Sequence, residues 1–205
     1  MEQGELGVGM RAAREGKGLS LRALAAAVGV SPSLLSQIEN GRTNPSVDTL
    51  YALVQELDIS VDAMLGREVS PASADSEHPV CVAPMRPTVG FVLQRAAETP
   101  VLEMENGVRW EQLAALQGLD VEALRVTYQP GASSSIEGRL MRHFGYEHIA
   151  MVGGELTVQH EFDTHILRAG DSMAFDSQRP HLFSNRADQP AVGIWYIFGR
   201  NAQAA

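Results

Sequence analysis

The stretch Leu21–Gly41, reading LRALAAAVGVSPSLLSQIENG, limits what this chain can fold into more than any other. Leu21, Leu24, Ala25 and Val28 recur at helical spacing and make one apolar stripe. Gly29 stops that helix, because a turn residue with positive φ is least strained when it carries no Cβ. Val30 then enters the core, Ser31 is placed to cap a second helix, and Pro32 suits its first turn. In the second helix Leu35 and Ile38 face inward while Ser33, Ser36 and Gln37 face out. Two short helices joined by a tight turn result, the second presenting a small polar face.

That pattern is a helix-turn-helix, and it points to a reader of DNA. Gln37 can pair with an adenine edge and serine with either base type, so Pro32, Ser33 and Gln37 are expected to face bases, with Ser36 beside them. Arg22, Asn40 and Arg42 are placed for phosphates, which position a protein without reading sequence. Glu39 is expected to pair with Arg11 or Arg14 and hold helices together. A solvated polar face would look similar over one helix; the longer register argues for DNA. That register is Leu19-Ser20-Leu21, Leu24-Ala25, Gly29-Val30-Ser31, Leu35 through Glu39, Gly41 and Asn44-Pro45-Ser46. Through these positions residues 6–66 resemble the helix-turn-helix domain of phage-repressor and Xre-class regulators.

The net charge of −9 does not exclude nucleic acid, because the local field matters more than the sum. Residues 1–67 carry a net −2 and the remainder −7. Arg11, Arg14, Lys17, Arg22 and Arg42 cluster in or near the motif, so a modest basic face and weak non-specific binding are expected. Cys81 is the single cysteine, which excludes an intrachain disulfide. No apolar run approaches the roughly 20 residues of a membrane span, and MEQGEL opens no secretory signal, so a cytoplasmic setting is expected.

Five helices fit the first 66 residues. The first runs from about Leu6 to Glu15, and the two motif helices follow. Ser46 caps a fourth, with Val47, Leu50, Leu53, Val54 and Leu57 as its buried stripe, and Ser60 caps a short fifth through Leu65. Residues 67–87 are rich in Pro, Ser, Ala and charge and read as a linker. Beyond Val89, short alternating runs between glycine turns replace helical periodicity: Glu155–Gln159, the run around Ile149 and Met151, and GIWYIF at 193–198. Trp110–Gln117 reads as a brief helix. Many short strands with Gly/Asp turns predict a small β-barrel or jelly roll. The fold class is therefore α + β in two domains: a five-helix domain over 1–66, a linker over 67–87, and an all-β domain over 88–200.

Two motifs in the second half resemble the cupins, whose fold is a double-stranded β-helix barrel. RHFGYEHIAMVGGEL supplies His143, Gly145, Glu147 and Gly154 at the family's positions; GDSMAFDSQRPHLFSN supplies Gly170, Asp171, Pro180, His181 and Asn185. The resemblance implies a metal site, with the family's usual first histidine replaced by Met141. A thioether is a poor partner for Fe(II), Mn(II) or Ni(II), which leaves His143, Glu147 and His181. Even spacing along extended chain lets His143 and Glu147 face one side of the wall. Two histidines and a carboxylate could hold one divalent ion, iron, zinc, manganese or nickel, with positions left open; histidines in a small barrel can equally be satisfied by hydrogen bonds. His148, His160 and His165 match no motif position and read as surface or wall residues. Arg125, Tyr128, Arg139 and Arg142 are candidates for a cavity mouth or for the exterior.

The joint order resembles bacterial transcription regulators in which a cupin senses a metabolite or metal. The resemblance implies a homodimer on a near-palindromic operator and no catalysis. The same domain order occurs in an iron-dependent epoxidase of phosphonate antibiotic biosynthesis, so an oxygenase using His143, Glu147 and His181 is the alternative. A metal store has little support, since a binding-only site would prefer four protein ligands.

Overall fold

A computed structural model describes residues 3–59, 90–116 and 119–199. The expected fifth helix, the linker and Cys81 lie outside the described residues. Helices come first: α1 (Gln3–Gly16), α2 (Leu21–Val28), α3 (Pro32–Glu39) and α4 (Val47–Leu57). Four helices stand among the described residues, and the local signals explain their ends. Ser20 Oγ accepts from Ala23 N and Ser31 Oγ from Leu34 N, each at 3.1 Å, and Gly29 closes α2 in the left-handed conformation at φ 74°. Ser46 precedes α4 without capping a backbone N–H; its hydroxyl bonds Asp48 and Thr49 instead.

Leu24, Ala25, Leu35, Ile38, Leu50 and Leu53 are buried at the centre of this bundle. Beside them Arg14 reaches across to Glu39, at 2.6 Å from Nε to Oε1 and 2.9 Å from Nη2 to Oε2. This settles which arginine clasps Glu39, since Arg11 pairs with Glu15. The Glu39 carboxylate holds the Arg14 guanidinium above its ordinary pKa against the opposing effect of burial.

After a short 3-10 turn (Ala96–Glu98) come nine strands: β1 (Val101–Glu103), β2 (Val108–Gln112), β3 (Val121–Tyr128), β4 (Tyr146–Gly153), β5 (Glu155–His160), β6 (Asp163–Arg168), β7 (Ser172–Asp176), β8 (His181–Ser184) and β9 (Ala191–Phe198). They form a six-stranded antiparallel sheet in the order β1-β2-β3-β9-β4-β7 and a three-stranded sheet β6-β5-β8. The helix expected over Trp110–Gln117 is absent among the described residues. Val108, Trp110 and Gln112 are buried in alternation while β2 pairs with β3, so a period of two wins over the helical reading.

The inner faces of the sheets meet in an aromatic cluster. Phe183 stands edge-on to Trp195 with ring centroids 5.8 Å apart and lies 6.3 Å from Tyr128. At the β4–β5 turn, Gly154 has φ 73°, and a Cβ there would sit 2.2 Å from Pro190 O. No other residue type fits that position without moving backbone.

Candidate functional site

Alternation in β4 buries Glu147, Ile149 and Met151 and exposes Tyr146, His148 and Ala150. That pattern delivers the Glu147 carboxylate into the space between the sheets. Met141 and His181 exchange backbone hydrogen bonds of 2.9 and 3.0 Å, and His143 N donates to Ser177 O at 3.1 Å. These bonds hold the segment carrying His143 alongside the one carrying His181. The three side chains are all buried, and their ligand atoms lie within 4.8 Å of one another.

The hydrogen bonds of the two rings decide what this group can do. His143 Nδ1 lies 3.1 Å from Phe144 O, and His181 Nδ1 lies 2.8 Å from Arg179 O. A carbonyl only accepts, so each Nδ1 carries a hydrogen, and each Nε2 faces inward, as a donor when its ring is protonated and as a lone pair when it is neutral. Both Nε2 atoms approach the same Glu147 oxygen, at 2.9 and 3.3 Å. Burial would push that carboxyl up, but hydrogen bonding and positive charge from His143 and His181 outweigh it and hold Glu147 well below the usual carboxylate range. Ser177 Oγ also donates to Oε1, at 3.2 Å. Two lone pairs facing a carboxylate repel unless a proton or a cation lies between them. Ligand atoms about 2.1 Å from one ion and at right angles to each other lie about 3 Å apart, so these separations fit a bound divalent ion.

The space beside the triad is lined by Trp110, Tyr128, Met141 and Glu147 from the sheet side, and by Val47 and Tyr51 from α4. Its open volume is about 10 Å³, room for roughly one water. Tyr51 is 6% exposed, and its ring lies 4.3 Å from that of His143 at 30° and 5.6 Å from Trp110. Burial pushes the Tyr128 phenol well above its ordinary pKa, with Glu147 and Tyr51 adding to the effect.

The helical surface is the second candidate. Pro32, Ser33, Gln37 and Asn40 on α3 are exposed, Ser36 is half-buried, and Arg22 and Arg42 are exposed nearby. Asn40 Nδ2 donates to Ser36 O at 2.7 Å and lies 3.4 Å from Ser36 Oγ, so both residues are engaged in ending α3.

Residues 10–64 match the helix-turn-helix family and residues 124–197 match the cupin domain. The chain carries a helix-turn-helix domain followed by a cupin domain. It is similar to the HTH-type transcriptional regulator PuuR of Escherichia coli K12, with 27% identity over 172 residues, 84% of this chain and 83% of that one. A structure of an HTH_3 family transcriptional regulator from Vibrio cholerae aligns over 97% of both chains at 20% identity with a TM-score of 0.64. Hydroxypropylphosphonic acid epoxidase from S. wedmorenis aligns over 96% of this chain and 98% of that one, at 18% identity and a TM-score of 0.48.

Within the cupin domain the remaining sequence candidates separate by burial. His148 and His165 are exposed, and His160 is half-buried with its ring 5.2 Å from Phe175. Of the four mouth candidates, Tyr128 lies inside the chamber. Arg125 is exposed and pairs with Glu111, and Arg142 is exposed. Arg139 pairs with Glu137 and lies against the motif turn, where a Cβ on Gly29 would be 3.8 Å from its Nη1.

Sequence reasoning missed Tyr51 altogether. A signal for it exists, because Val47, Leu50, Tyr51, Leu53, Val54 and Leu57 make a stripe wider than one packing partner requires. Leu50, Leu53 and Leu57 serve the helix-turn-helix core, and Val47 and Tyr51 reach the cupin domain.

Proposed function

We propose that this chain is a homodimeric, sequence-specific transcriptional regulator. Residues 1–66 read DNA, 67–87 link, and 88–200 close as a double-stranded β-helix that senses a small molecule or metal. The observation that carries the reading is α3, capped at Ser31 and buried through Leu35 and Ile38, with Pro32, Ser33 and Gln37 turned to solvent. Pro32, Ser33 and Gln37 face base edges with Ser36 beside them, while Arg22, Asn40 and Arg42 take phosphates. Asn40 must give up its bond to Ser36 to do so. The similarity to a curated transcriptional regulator over 84% of the chain supports this reading.

One recognition helix reads only a few bases, and a dimer on a near-palindromic operator doubles the contacts. The outer face of the larger sheet exposes Tyr146, Val152, Tyr196 and Phe198, apolar surface suited to a second copy. In the cupin domain His143, Glu147 and His181 would hold one divalent ion. Once bound, that ion supplies a Lewis-acidic anchor for a ligand. Ser177 orients Glu147, and the Phe144 and Arg179 carbonyls fix the histidine tautomers.

The donor set itself favours an iron oxygenase as the second reading. The exposed Ser33 and Gln37 face of α3, for which an oxygenase has no need, ranks that reading below the regulator. Fluorescence anisotropy with DNA from the chain's own upstream region, against a scrambled duplex at physiological salt, tests the proposal. Specific affinity near about 10⁻⁸ M supports a regulator. Equal weak binding to both duplexes counts against it, and iron-dependent oxygen consumption with a substrate would reverse the order.

A further inference from the structure

The cupin chamber is closed by a side chain from the other domain. The Tyr51 ring packs at a tilt against His143 and lies beside Trp110, and with Val47 it fills the space over the triad down to about 10 Å³. The N-terminal end of α4 is fastened to the cupin domain close by. Asp48 N, in the first turn of α4, donates to Ser134 O at 3.0 Å, and Ser135 Oγ donates to Asp48 Oδ2 at 2.9 Å. Glu105 N adds a bond to Pro45 O at 3.4 Å. Behind this contact α4 packs on α1 and α2, so it belongs to the body that carries α3.

We propose that Tyr51 is a built-in occupant of the ligand chamber, and that a planar aromatic compound of phenol size takes its place. The ring position is already built, 4.3 Å from the His143 ring at a 30° tilt and flanked by Trp110, and any occupant larger than an ion with its water must evict the phenol. Ligand binding and docking of α4 therefore exclude one another. Eviction of Tyr51 draws α4 off the sheets and changes the setting of the recognition helix, which gives the two states that ligand control requires. This rests on reading residues 88–200 as a sensor, and its test uses no DNA.

The probe is p-cresol, the tyrosine side chain as a separate molecule, titrated into the full-length chain. The two tryptophans of the sequence, Trp110 and Trp195, both line the chamber, so their fluorescence reports occupancy. Exchange of the Asp48 amide hydrogen reports docking, because its bond to Ser134 crosses between the domains. Ser135→Ala removes one latch bond to a carboxylate without touching the chamber wall and is expected to tighten p-cresol binding about tenfold. Tyr51→Gly, which removes the competitor, is expected to tighten it further. In the wild type, saturating p-cresol is expected to strip protection from the Asp48 amide. Equal affinity in the wild type and Ser135→Ala overturns the coupling. Failure of Tyr51→Gly to bind p-cresol overturns the ligand class, and should that variant not fold, the Ser135→Ala comparison stands alone.

Discussion

Replacing Glu39 by alanine is expected to cost the helix-turn-helix domain about 3 kcal/mol, a magnitude that follows from what Arg14 would be left with. In the intact protein two charge-assisted bonds of 2.6 and 2.9 Å join the pair, with side chains 10% and 3% exposed. Breaking a buried pair from one side costs about 3–5 kcal/mol, because the surviving charge remains out of water. Arg14 keeps Leu19 O at 2.9 Å and the half-exposed Glu15 at 3.4 Å, which puts the value at the lower end. Glu39→Gln is no milder, since its amide nitrogen would set N–H groups against the guanidinium. Removing both charges, as Arg14→Leu with Glu39→Leu, is expected to fall within about 1 kcal/mol of the parent, because no buried charge is stranded. All the α-helices among the described residues lie in residues 3–57, so urea unfolding followed by far-UV circular dichroism reports this domain. A loss under about 1 kcal/mol for Glu39→Ala, or a double variant as damaged as the single one, would refute the clasp.

Three further outcomes are expected. Gln37→Ala should weaken operator binding by about 1–3 kcal/mol and relax base preference at one position per half-site, whereas Arg42→Ala should weaken all sequences alike and flatten the salt slope by about one; anisotropy at several salt concentrations separates them. His181→Ala should abolish stoichiometric Co(II) uptake, read by its visible absorption, while His165→Ala, at an exposed position, leaves it intact. Gly154→Ala should cost the cupin domain several kcal/mol by thermal unfolding, because the new Cβ meets Pro190 O at 2.2 Å in a left-handed backbone; a loss below about 1 kcal/mol means the turn yields easily.

How much of this was legible in the sequence depended on whether the cause was local. Helix ends are local: Ser31 and Gly29 act within four residues of themselves and do in the structure what their positions suggest, whereas Ser46, also expected to cap, spends its hydroxyl on Asp48 and Thr49. The triad was legible for another reason. The cupin motifs named all three residues, and the structure brings them into one group, although His143 reaches Glu147 from outside β4, across a bend at Phe144–Gly145, and not along one extended strand. Trp110 was misread because a short run with two adjacent alanines fits a helix until a partner strand exists, and that partner, Val126, lies far along the chain.

Tyr51 shows the limit most clearly. Periodicity tells which residues of α4 avoid water, but it cannot tell which surface covers them. Leu50 and Tyr51 are neighbours in sequence and equally apolar in any pattern, yet one fills the helical core and the other packs at a tilt against a histidine of the cupin domain. A helix that is buried on two sides needs two partners, and with four helices packed only on each other the Val47–Tyr51 side would face water. The width of that stripe was therefore evidence for an interdomain contact before any coordinates. Residue types then narrow the contact: a tyrosine, unlike a leucine, brings a ring that can stack on an imidazole and a hydroxyl that must find a polar neighbour when buried. The triad chamber offers the imidazole of His143, 4.3 Å from the Tyr51 ring, which is why this side chain, and not Val47, is the one whose displacement a ligand would have to achieve.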